Sequence, residues 1–478
     1  MLFRSLNGMW AIALWDAQNE TLILSRDRLG EKPLFVMPWR DGFAFASEVK
    51  QLRLFPDCQL TPNFEHLDRF ASTGRPYSGS EHTFFENVSQ VEPGTALLIS
   101  ESGSRTLTYF SLRSMMDVHS KSSVDELVDA AASALARSVE IRLRADVPVG
   151  VCLSSGIDST AIVRTMAAFG SMTNRLAVTF DASVSTRSEA PIAKRTASHV
   201  GLSWARVQGS RDEYDSIRTR LLWHHETPIP DSSLYAQWSV FQEARRRGIV
   251  VMLDGQGADE LFGGYLKLLV SHTKQSLARN PLHGLVALSG LIRHLLAAPP
   301  RRSTFARFSP FQHVRGPGNS SGNPRNPPME NEAHMRLADL TTWSLPNLLA
   351  WEDRNSMAHS LEARLPFLDP ELLAIGLSAQ PEFLYHKGWT KFPLRSVVSG
   401  LGEPEIAWRR AKLQFESPEI GWMAERAKTD TRLLSPYWSS AQLGPATQDL
   451  KRLAAAGHLS AFKKLRAIDD FLVLFWPS

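Results

Sequence analysis

Acidic side chains occur inside two small-residue stretches of this 478-residue chain, and each stretch follows an apolar run. The first has the sequence Leu-Ser-Ser-Gly-Ile-Asp-Ser at 153–159 and places Asp158 close to Ser154, Ser155 and Gly156. Small polar residues let the backbone turn sharply and bring its N–H groups to an anion at the start of a helix. An acid in such a loop repels phosphate unless a cation lies between them, so Asp158 suggests Mg²⁺.

The second stretch, residues 254–265, holds four glycines and three acids. A polar loop with one helix-capping acid would explain one glycine and one acid, but not the whole set. If Asp259 lies near Asp158, the two carboxylates and the first loop predict a site for Mg²⁺ and a triphosphate. The first loop is not a Walker A loop, because no Gly-Lys-Ser/Thr follows it, and an ordinary strand-to-helix turn is the alternative.

The segments around these stretches predict a doubly wound parallel α/β sheet. Apolar runs at 147–153, 175–180 and 249–253 are typical of buried strands, and helical patterns at 189–200 and 233–247 alternate with them. In such sheets ligands bind at the carboxyl ends of the strands, which is where both stretches fall.

Residues 1–112 have a different character and look all-β. Strand-like runs at 9–16 and 21–25 flank a polar turn, which predicts a hairpin, and residues 43–48 are typical of a further strand. An amphipathic helix at 124–144 follows. We therefore expect a β-rich first domain that lacks its opening strands, followed by the α/β domain.

The composition is that of an ordinary soluble globular protein, with 43% hydrophobic and 21% charged residues. The net charge of +4 is too small to indicate nucleic-acid binding, and no apolar run is long enough to cross a membrane. The two cysteines form no CxxC pair, which favours a reducing cytoplasm. Residues 316–328, rich in Gly, Pro, Asn and Ser, predict a flexible loop.

Two further segments carry weaker signals. Residues 353–369 alternate charged and apolar side chains at helical spacing, which predicts an ion-paired helix that ends at the proline within this segment. Glu362 lies next to that end and either stays on the surface or points into the cleft. The cationic stretch 408–415, flanked by aromatic residues, is either solvated surface or brings Lys412 to the triphosphate.

These motifs resemble those of the glutamine-dependent asparagine synthetases and their relatives, the β-lactam synthetases and lasso-peptide cyclases. Residues 153–159 resemble the family's Ser-Gly-Gly-x-Asp-Ser pyrophosphate loop, with Ser155 in place of a glycine. Residues 254–265 resemble its Ser-Gly-(Asp/Glu)-Gly-Ala-Asp-Glu-Leu-Phe-Gly-Gly-Tyr segment. Residues 353–369 resemble its Asp-Arg-x-Ser-Met…Glu-x-Arg-x-Pro-Phe-Leu-Asp block. Three such blocks in this order are highly specific, and the resemblance covers nearly all of the chain except residues 266–335.

The resemblance implies an ATP-pyrophosphatase (adenine nucleotide alpha hydrolase-like) fold at 113–478, preceded by a partial Ntn-hydrolase-like glutaminase domain at 1–112. It also implies a reaction in two halves. ATP adenylates the side chain of aspartate, and ammonia, free or released from glutamine, then attacks to give asparagine, AMP and pyrophosphate. The family implies no nucleic-acid or membrane partner, and a homodimer is compatible with it.

The family's functional residues are carried over by position. Asp158 and Asp259 correspond to the Mg²⁺ ligands, and Lys412 corresponds to the lysine that stabilises the leaving phosphates by offsetting their charge. Glu362 is the candidate for deprotonating the amine. The residues expected around ATP and pyrophosphate are Leu153, Ser154, Ser155, Gly156, Asp158, Ser159, Val178, Asp254 and Gly255.

Two departures from the family bear on the activity. The family's glutaminase nucleophile is a cysteine directly after the initiator methionine, whereas this chain has Leu2, so we expect no glutamine hydrolysis. Gln256 stands where the synthetases usually carry an acid, which leaves the acceptor open. Two alternatives to asparagine synthesis therefore stand. One is amide formation on another carboxylate (sugar-linked, peptide or β-amino acid), and the other is an inactive remnant that acts as a partner protein.

Overall fold

The computed structural model describes residues 2–77, 82–116, 123–181, 188–229, 233–297, 331–410, 422, 433, 435–439 and 443–476. The predicted flexible loop at 316–328 and the candidate Lys412 lie outside these residues. Among the described helices, none combines the length and the apolar character that a membrane span requires.

The strands, in chain order, are β1 (Ala11–Asp16), β2 (Thr21–Arg26), β3 (Phe35–Trp39), β4 (Gly42–Ala46), β5 (Ser89–Gln90), β6 (Thr95–Ser100), β7 (Gly103–Thr108), β8 (Val149–Cys152), β9 (Leu176–Asp181), β10 (Ser203–Gln208), β11 (Val251–Leu253) and β12 (Glu362–Arg364). The α-helices are α1 (Val49–Leu52), α2 (Phe64–Thr73), α3 (Val124–Arg142), α4 (Ile157–Met166), α5 (Ala190–His199), α6 (Arg211–His225), α7 (Ser233–Arg246), α8 (Ala258–Phe262), α9 (Leu266–Arg279), α10 (Pro281–Ala297), α11 (Glu332–Ala338), α12 (Leu345–Ala358), α13 (Pro370–Ser378), α14 (Pro381–Leu384), α15 (Phe392–Gly400), α16 (Pro404–Ala407), α17 (Pro445–Ala455) and α18 (Leu459–Phe475). A π-helical turn spans Asp339–Trp343, and 3-10 turns span Leu2–Arg4, Leu112–Met115, Pro366–Leu368, His386–Gly388 and Pro436–Ser439.

The N-terminal part contains two antiparallel sheets, with the strand orders β1-β2-β6-β7 and β4-β3-β5. β1 and β2 form the predicted hairpin, with Asp16 opposite Thr21. The Asp16 carboxylate accepts hydrogen bonds from the N–H groups of Gln18 and Asn19, both at 3.1 Å. An aspartate that bonds to the backbone two and three residues on closes a turn, which explains why the hairpin reverses there.

A helix corrects the expectation that residues 1–112 are all-β. The Asn63 side chain caps the start of α2 by accepting from the His66 N–H, and Gly74 follows its last turn with a φ of 68°. Its buried residues share a core with the second sheet and with α18 near the other end of the chain. The C-terminal helices therefore pack against the N-terminal part.

The C-terminal part is built on the predicted parallel sheet, whose strand order is β10-β9-β8-β11-β12. All four strand pairs are parallel, and the order runs in opposite directions from the pair of β8 and β11. This pair is the topological switch point, where doubly wound sheets bind ligands at the carboxyl ends of their strands. Ala177 and Val178 in β9 enter different cores, so both faces of the sheet are covered.

Two of the five strands have no clear signal in the sequence. β10 is an edge strand with largely exposed residues, and β12 at the other edge has only three residues, two of them charged. The prediction of a helix that continues to Pro366 is wrong, because α12 ends at Ala358 and β12 follows it. Edge strands tolerate charged side chains because one side of the strand faces water.

Ion pairs on α12 join the two parts of the chain, as the ion-paired interpretation of this segment predicts. Asp353 Oδ1 accepts from Lys32 Nζ at 2.9 Å, and Arg354 Nη2 donates to Glu226 Oε2 at 3.0 Å. Glu226 also accepts from the Lys50 N–H at 2.6 Å, at the start of α1. These contacts hold α12 against the N-terminal part and fix a helix that packs on β12.

Candidate active site

Two loops meet at the carboxyl ends of the switch-point strands. Val151 in β8 and Leu253 in β11 are in register, so residues 153–156 and 254–257 leave the sheet side by side. The first loop leads directly into α4 and the second into α8. The prediction that both stretches lie at one edge of the sheet is confirmed.

Lys391 joins the two acids that were expected to hold Mg²⁺. Its Nζ lies 2.7 and 2.8 Å from the two carboxylate oxygens of Asp158 and 2.5 Å from Oδ1 of Asp259. Lys391 is 5% exposed and has a φ of 52°, a left-handed backbone that costs a non-glycine residue roughly 1–2 kcal/mol. Both carboxylates therefore converge on one cation, which offsets the repulsion between them.

Two glycines of the second loop provide the space for this arrangement. A Cβ atom on Gly264 would overlap the Asp259 carboxylate and the Lys391 side chain. A Cβ atom on Gly255 would lie 3.1 Å from the Cβ atom of Asp158, closer than ordinary van der Waals contact. Close packing against Asp158 at Gly255, and against Asp259 and Lys391 at Gly264, explains why these positions are glycine.

We expect Gly264→Ala to lower both the stability of the fold and any reaction at this edge of the sheet. The added methyl group overpacks the contact between Asp259 and Lys391, and overpacking typically costs about 1–3 kcal/mol. Gly400→Ala is the matched control, because Gly400 ends α15 with open space around it and alanine favours a helix. Thermal unfolding of both variants measures the effect, and a wild-type melting temperature for Gly264→Ala would contradict the packing argument.

The serines of the first loop bond to one another and leave the start of α4 open. Ser159 Oγ accepts from the Ser154 N–H at 3.1 Å, and Ser154 Oγ accepts from the Gly156 N–H at 3.0 Å. Gly156 is the N-cap residue of α4 and no side chain caps the helix there. An uncapped helix start presents N–H groups and a favourable dipole to an anion.

Arg409 brings a second cation to the first loop. Its Nη2 donates to the carbonyl oxygen of Ser155 at 2.6 Å and to Ser155 Oγ at 3.0 Å. Arg395 orders this segment by donating to the carbonyl oxygens of Ala407 and Thr390 at 2.5 and 2.6 Å. Burial lowers the pKa of Arg395 to about 10, so it stays charged at neutral pH. The interpretation of this stretch as solvated surface is therefore wrong for Arg409.

Leu153 and Val178, which were expected to line the nucleotide pocket, are 2% and 1% exposed. The Leu153 N–H donates to the Val178 carbonyl oxygen at 3.0 Å and so continues the ladder between β8 and β9. The two side chains belong to the cores on opposite faces of the sheet. Only the backbone at these positions borders the strand-end edge.

Asp254 meets a second acid, Glu352 on α12, and the two carboxyl groups lie within hydrogen-bonding reach of one another. Asp254 is half-buried and its Oδ1 accepts from the Gly255 N–H at 2.5 Å. Glu352 is 2% exposed, and its Oε2 accepts from Nε2 of Gln237. Burial raises the pKa of both carboxyl groups, and the charge of Asp254 raises the pKa of Glu352 further.

The structure does not bring Glu362 to the two loops. Glu362 opens β12 opposite Val251, the first residue of β11, so it lies at the amino edge of the sheet. Its carboxylate is 44% exposed and accepts from Arg364 Nε at 2.6 Å. The expectation that Glu362 points into the cleft depended on a helix that continued past it, and β12 replaces that helix.

Asp158 and Asp259 are suited to Mg²⁺, because both carboxylates already face one cation, the ammonium of Lys391. Among the described residues, no group of three or more His, Cys, Asp or Glu side chains could hold a metal ion. A Mg²⁺ ion here would therefore take the two carboxylates from the chain and its other ligands from phosphate oxygens and water, which is its usual preference.

The sequence patterns missed Lys391 and Glu352 for different reasons. Lys391 stands before α15 in a segment without a glycine or acid motif, so nothing nearby marks it. Glu352 precedes Asp353 and looks like one more charge on an ion-paired helix, and only its burial distinguishes it.

The fold and the site together define a doubly wound α/β protein with a candidate anion and cation site at the switch point of its parallel sheet. The chain belongs to the asparagine synthase family, which it matches over residues 130–459, and residues 1–110 match the glutamine amidotransferase domain. The predicted fold class, a parallel α/β sheet preceded by a β-rich amidotransferase domain, is confirmed.

Individual relatives agree with this assignment. The chain is 29% identical over 449 residues to asparagine synthetase [glutamine-hydrolyzing] 1 of Bacillus subtilis, covering 87% of this chain and 69% of that protein. It is 30% identical over 453 residues to a putative asparagine synthetase of Mycobacterium tuberculosis (strain ATCC 25618 / H37Rv), covering 88% of this chain and 69% of that protein. The chain is also similar to the solved structure of a glutamine-dependent NAD+ synthetase from Acinetobacter baumannii. The match has 14% sequence identity and covers 54% of this chain and 62% of that protein. Its TM-score of 0.23 is too low to bear on the fold.

Proposed function

We propose that this chain forms an amide from a carboxylic acid and ammonia, with ATP cleaved to AMP and pyrophosphate through an acyl-adenylate. The observation that supports this best is the convergence of Asp158, Asp259 and Lys391 beside the open start of α4. A bound triphosphate needs Mg²⁺ ligands and N–H donors, and this edge offers both. Because the relatives are named asparagine synthetases, aspartate is the first acid to test.

Each group at the edge has a distinct role in this proposal. The N–H groups at the start of α4 and the serines of the first loop would hold the pyrophosphate end of ATP. Mg²⁺ held by Asp158 and Asp259 would offset the charge that grows on the phosphates. Lys391 would offset further charge on the same phosphates. Arg409 would hold the first loop in its conformation through its hydrogen bonds to Ser155. Lys412 joins this group only through the family resemblance.

Ammonia, rather than glutamine, is the proposed nitrogen donor for this chain. The two cysteines of the chain are Cys58 and Cys152. Cys58 Sγ lies 3.8 Å from Met37 Sδ, and burial raises the pKa of its thiol. Burial raises the pKa of the Cys152 thiol as well. A nucleophilic cysteine needs the opposite shift, toward the thiolate.

We therefore expect the 478-residue chain to release no glutamate from glutamine, while ammonium salts support amide formation. Glutamate is measured with glutamine as the sole nitrogen source and again with ammonium chloride added. Glutamate release that keeps pace with ATP cleavage in the first condition would show that this chain has a working glutaminase.

ATP–pyrophosphate exchange with a panel of carboxylic acids tests the proposed reaction. Exchange with aspartate supports asparagine synthesis. Exchange only with a sugar-linked acid, a peptide or a β-amino acid supports the second candidate, which the replacement of the usual loop acid by Gln256 favours. A lack of exchange with every acid in the panel would contradict adenylation and leave the inactive-remnant alternative.

A further inference from the structure

The carboxyl groups of Asp254 and Glu352 form a pair that the binding of phosphate and Mg²⁺ does not use. Asp254 follows β11 directly at the switch point. The next residue, Gly255, approaches Asp158 so closely that a Cβ atom would lie 3.1 Å from the aspartate Cβ. The pair therefore lies beside the proposed phosphate loop, with Asp254 half-buried at the edge and Glu352 buried behind it.

One oxygen of Glu352 lacks a hydrogen-bond donor. Among the described residues, none donates to Glu352 Oε1, although the residue is only 2% exposed. The other oxygen accepts from Gln237, whose own oxygen accepts from Asn355 Nδ2 at 2.8 Å and is thereby held in place. A buried carboxylate oxygen without a donor is costly, and two adjacent carboxyl groups bond to each other only through a shared proton.

The groups around the pair come from four elements. The Cys152 thiol at the end of β8 and the Gln256 amide in the second loop face Asp254. Gln237 on α7 and Asp353 on α12 act on Glu352, and the charge of Asp353 is matched by its ion pair with Lys32. In these surroundings we expect the pair to hold one proton and one negative charge at neutral pH.

We propose that Asp254 is the proton acceptor of the amide-forming step and that Glu352 is a positioning residue that shares its proton with Asp254. This inference rests on the proposed acyl-adenylate reaction. A neutral ammonia molecule attacks the acyl carbon and the C–N bond forms. The bond from the acyl carbon to the AMP oxygen breaks, and its electron pair leaves on AMP. The nitrogen then carries one proton too many, and that proton moves to the Asp254 carboxylate.

The residue types along the second loop support this assignment. Asp254 follows the last residue of β11 and carries a carboxylate, whereas position 256 of the same loop carries the amide of Gln256. The amide of Gln256 cannot take up a proton as a carboxylate does. Glu362, the acid that the sequence suggested for this step, lies at the opposite edge of the sheet.

Asp254→Asn separates the two halves of the reaction. We expect its ATP–pyrophosphate exchange, with an acid from the panel that the wild type uses, to stay near the wild-type rate. Amide formation from ammonium chloride should fall by about 10²–10⁴-fold, the usual contribution of a positioned general base. Retained exchange also shows that the variant is folded.

Glu352→Gln tests the positioning role through the pH profile. The wild-type amide-forming rate should show two ionisations that belong to the pair, and the variant should show one. A purely structural glutamate would leave the shape of the profile unchanged. Glu362→Gln is the matched control, because this carboxylate is exposed and pairs with Arg364, so both rates and the profile should match the wild type.

Two results would overturn the assignment. In the first, Asp254→Asn forms the amide at the wild-type rate. In the second, exchange and amide formation fall in the same proportion, which would place Asp254 in nucleotide binding. A wild-type chain that shows no exchange with any acid would instead remove the adenylation on which the inference rests.

Discussion

Asp158→Asn and Asp259→Asn are each expected to lower Mg²⁺-dependent ATP–pyrophosphate exchange by about a hundredfold or more. Loss of one strong electrostatic contact in a transition state commonly raises the activation free energy by about 3 kcal/mol, which corresponds to this factor. Each variant removes one of the two carboxylates that converge on Lys391. The other carboxylate keeps the lysine paired, so we expect the fold to persist in circular dichroism. When exchange is measured over a range of MgCl₂ concentrations, each variant should need a higher Mg²⁺ concentration than the wild type to reach half of its maximal rate.

Asp125→Asn is the matched control for both variants. Asp125 lies in the first turn of α3, as Asp158 lies in the first turn of α4. Unlike Asp158, it is exposed and does not follow a strand of the parallel sheet. It should exchange at the wild-type rate. Near-normal exchange by Asp158→Asn and Asp259→Asn would remove both residues from the proposed metal site.

Lys391→Met is the second variant with a large expected effect. The methionine removes the ammonium on which Asp158 and Asp259 converge, so repulsion between the two carboxylates should lower the melting temperature of the ATP-free protein. Mg²⁺ should then bind between the carboxylates and restore stability, because a ligand that binds only the folded state stabilises it. Thermal unfolding with and without MgCl₂ should show a larger Mg²⁺-dependent rise for the variant than for the wild type.

Lys387→Met provides the comparison for this experiment. Lys387 lies four residues earlier, has a similar φ of 53° and is exposed. Its removal should change neither the melting temperature nor the response to Mg²⁺. If Lys391→Met and the wild type showed equal Mg²⁺-dependent shifts, the two carboxylates would not form a cation site in the ATP-free protein.

The strands that carry the two loops could be predicted because local and tertiary requirements agree. β8 and β11 are buried on both faces, so their sequences are continuous apolar runs that end in small or acidic residues. β12 could not be predicted in this way. Its strand conformation depends on pairing with β11, and its three residues carry no periodic pattern.

The same difference applies to the candidate site. Asp158 and Asp259 lie in the loops that follow predicted strands, so the rule for strand ends places them together. Lys391 and Arg409 reach these loops from segments that follow the last strand of the sheet, and only tertiary packing brings them there. The resemblance to asparagine synthetases suggested Glu362 as an acid near the reaction, but the register between β11 and β12 places it at the far edge.

Transfer of ¹⁸O from the carboxylic acid tests most directly whether this chain activates a carboxylate by joining it to AMP. An acid from the panel, labelled with ¹⁸O in its carboxyl group, is incubated with the chain, ATP, MgCl₂ and ammonium chloride. Attack of ammonia breaks the bond between the acyl carbon and the bridging oxygen, so we expect the label to appear in the phosphate of AMP. Label in inorganic phosphate, with ADP as the nucleotide product, would indicate an acyl phosphate and would contradict the proposed acyl-adenylate.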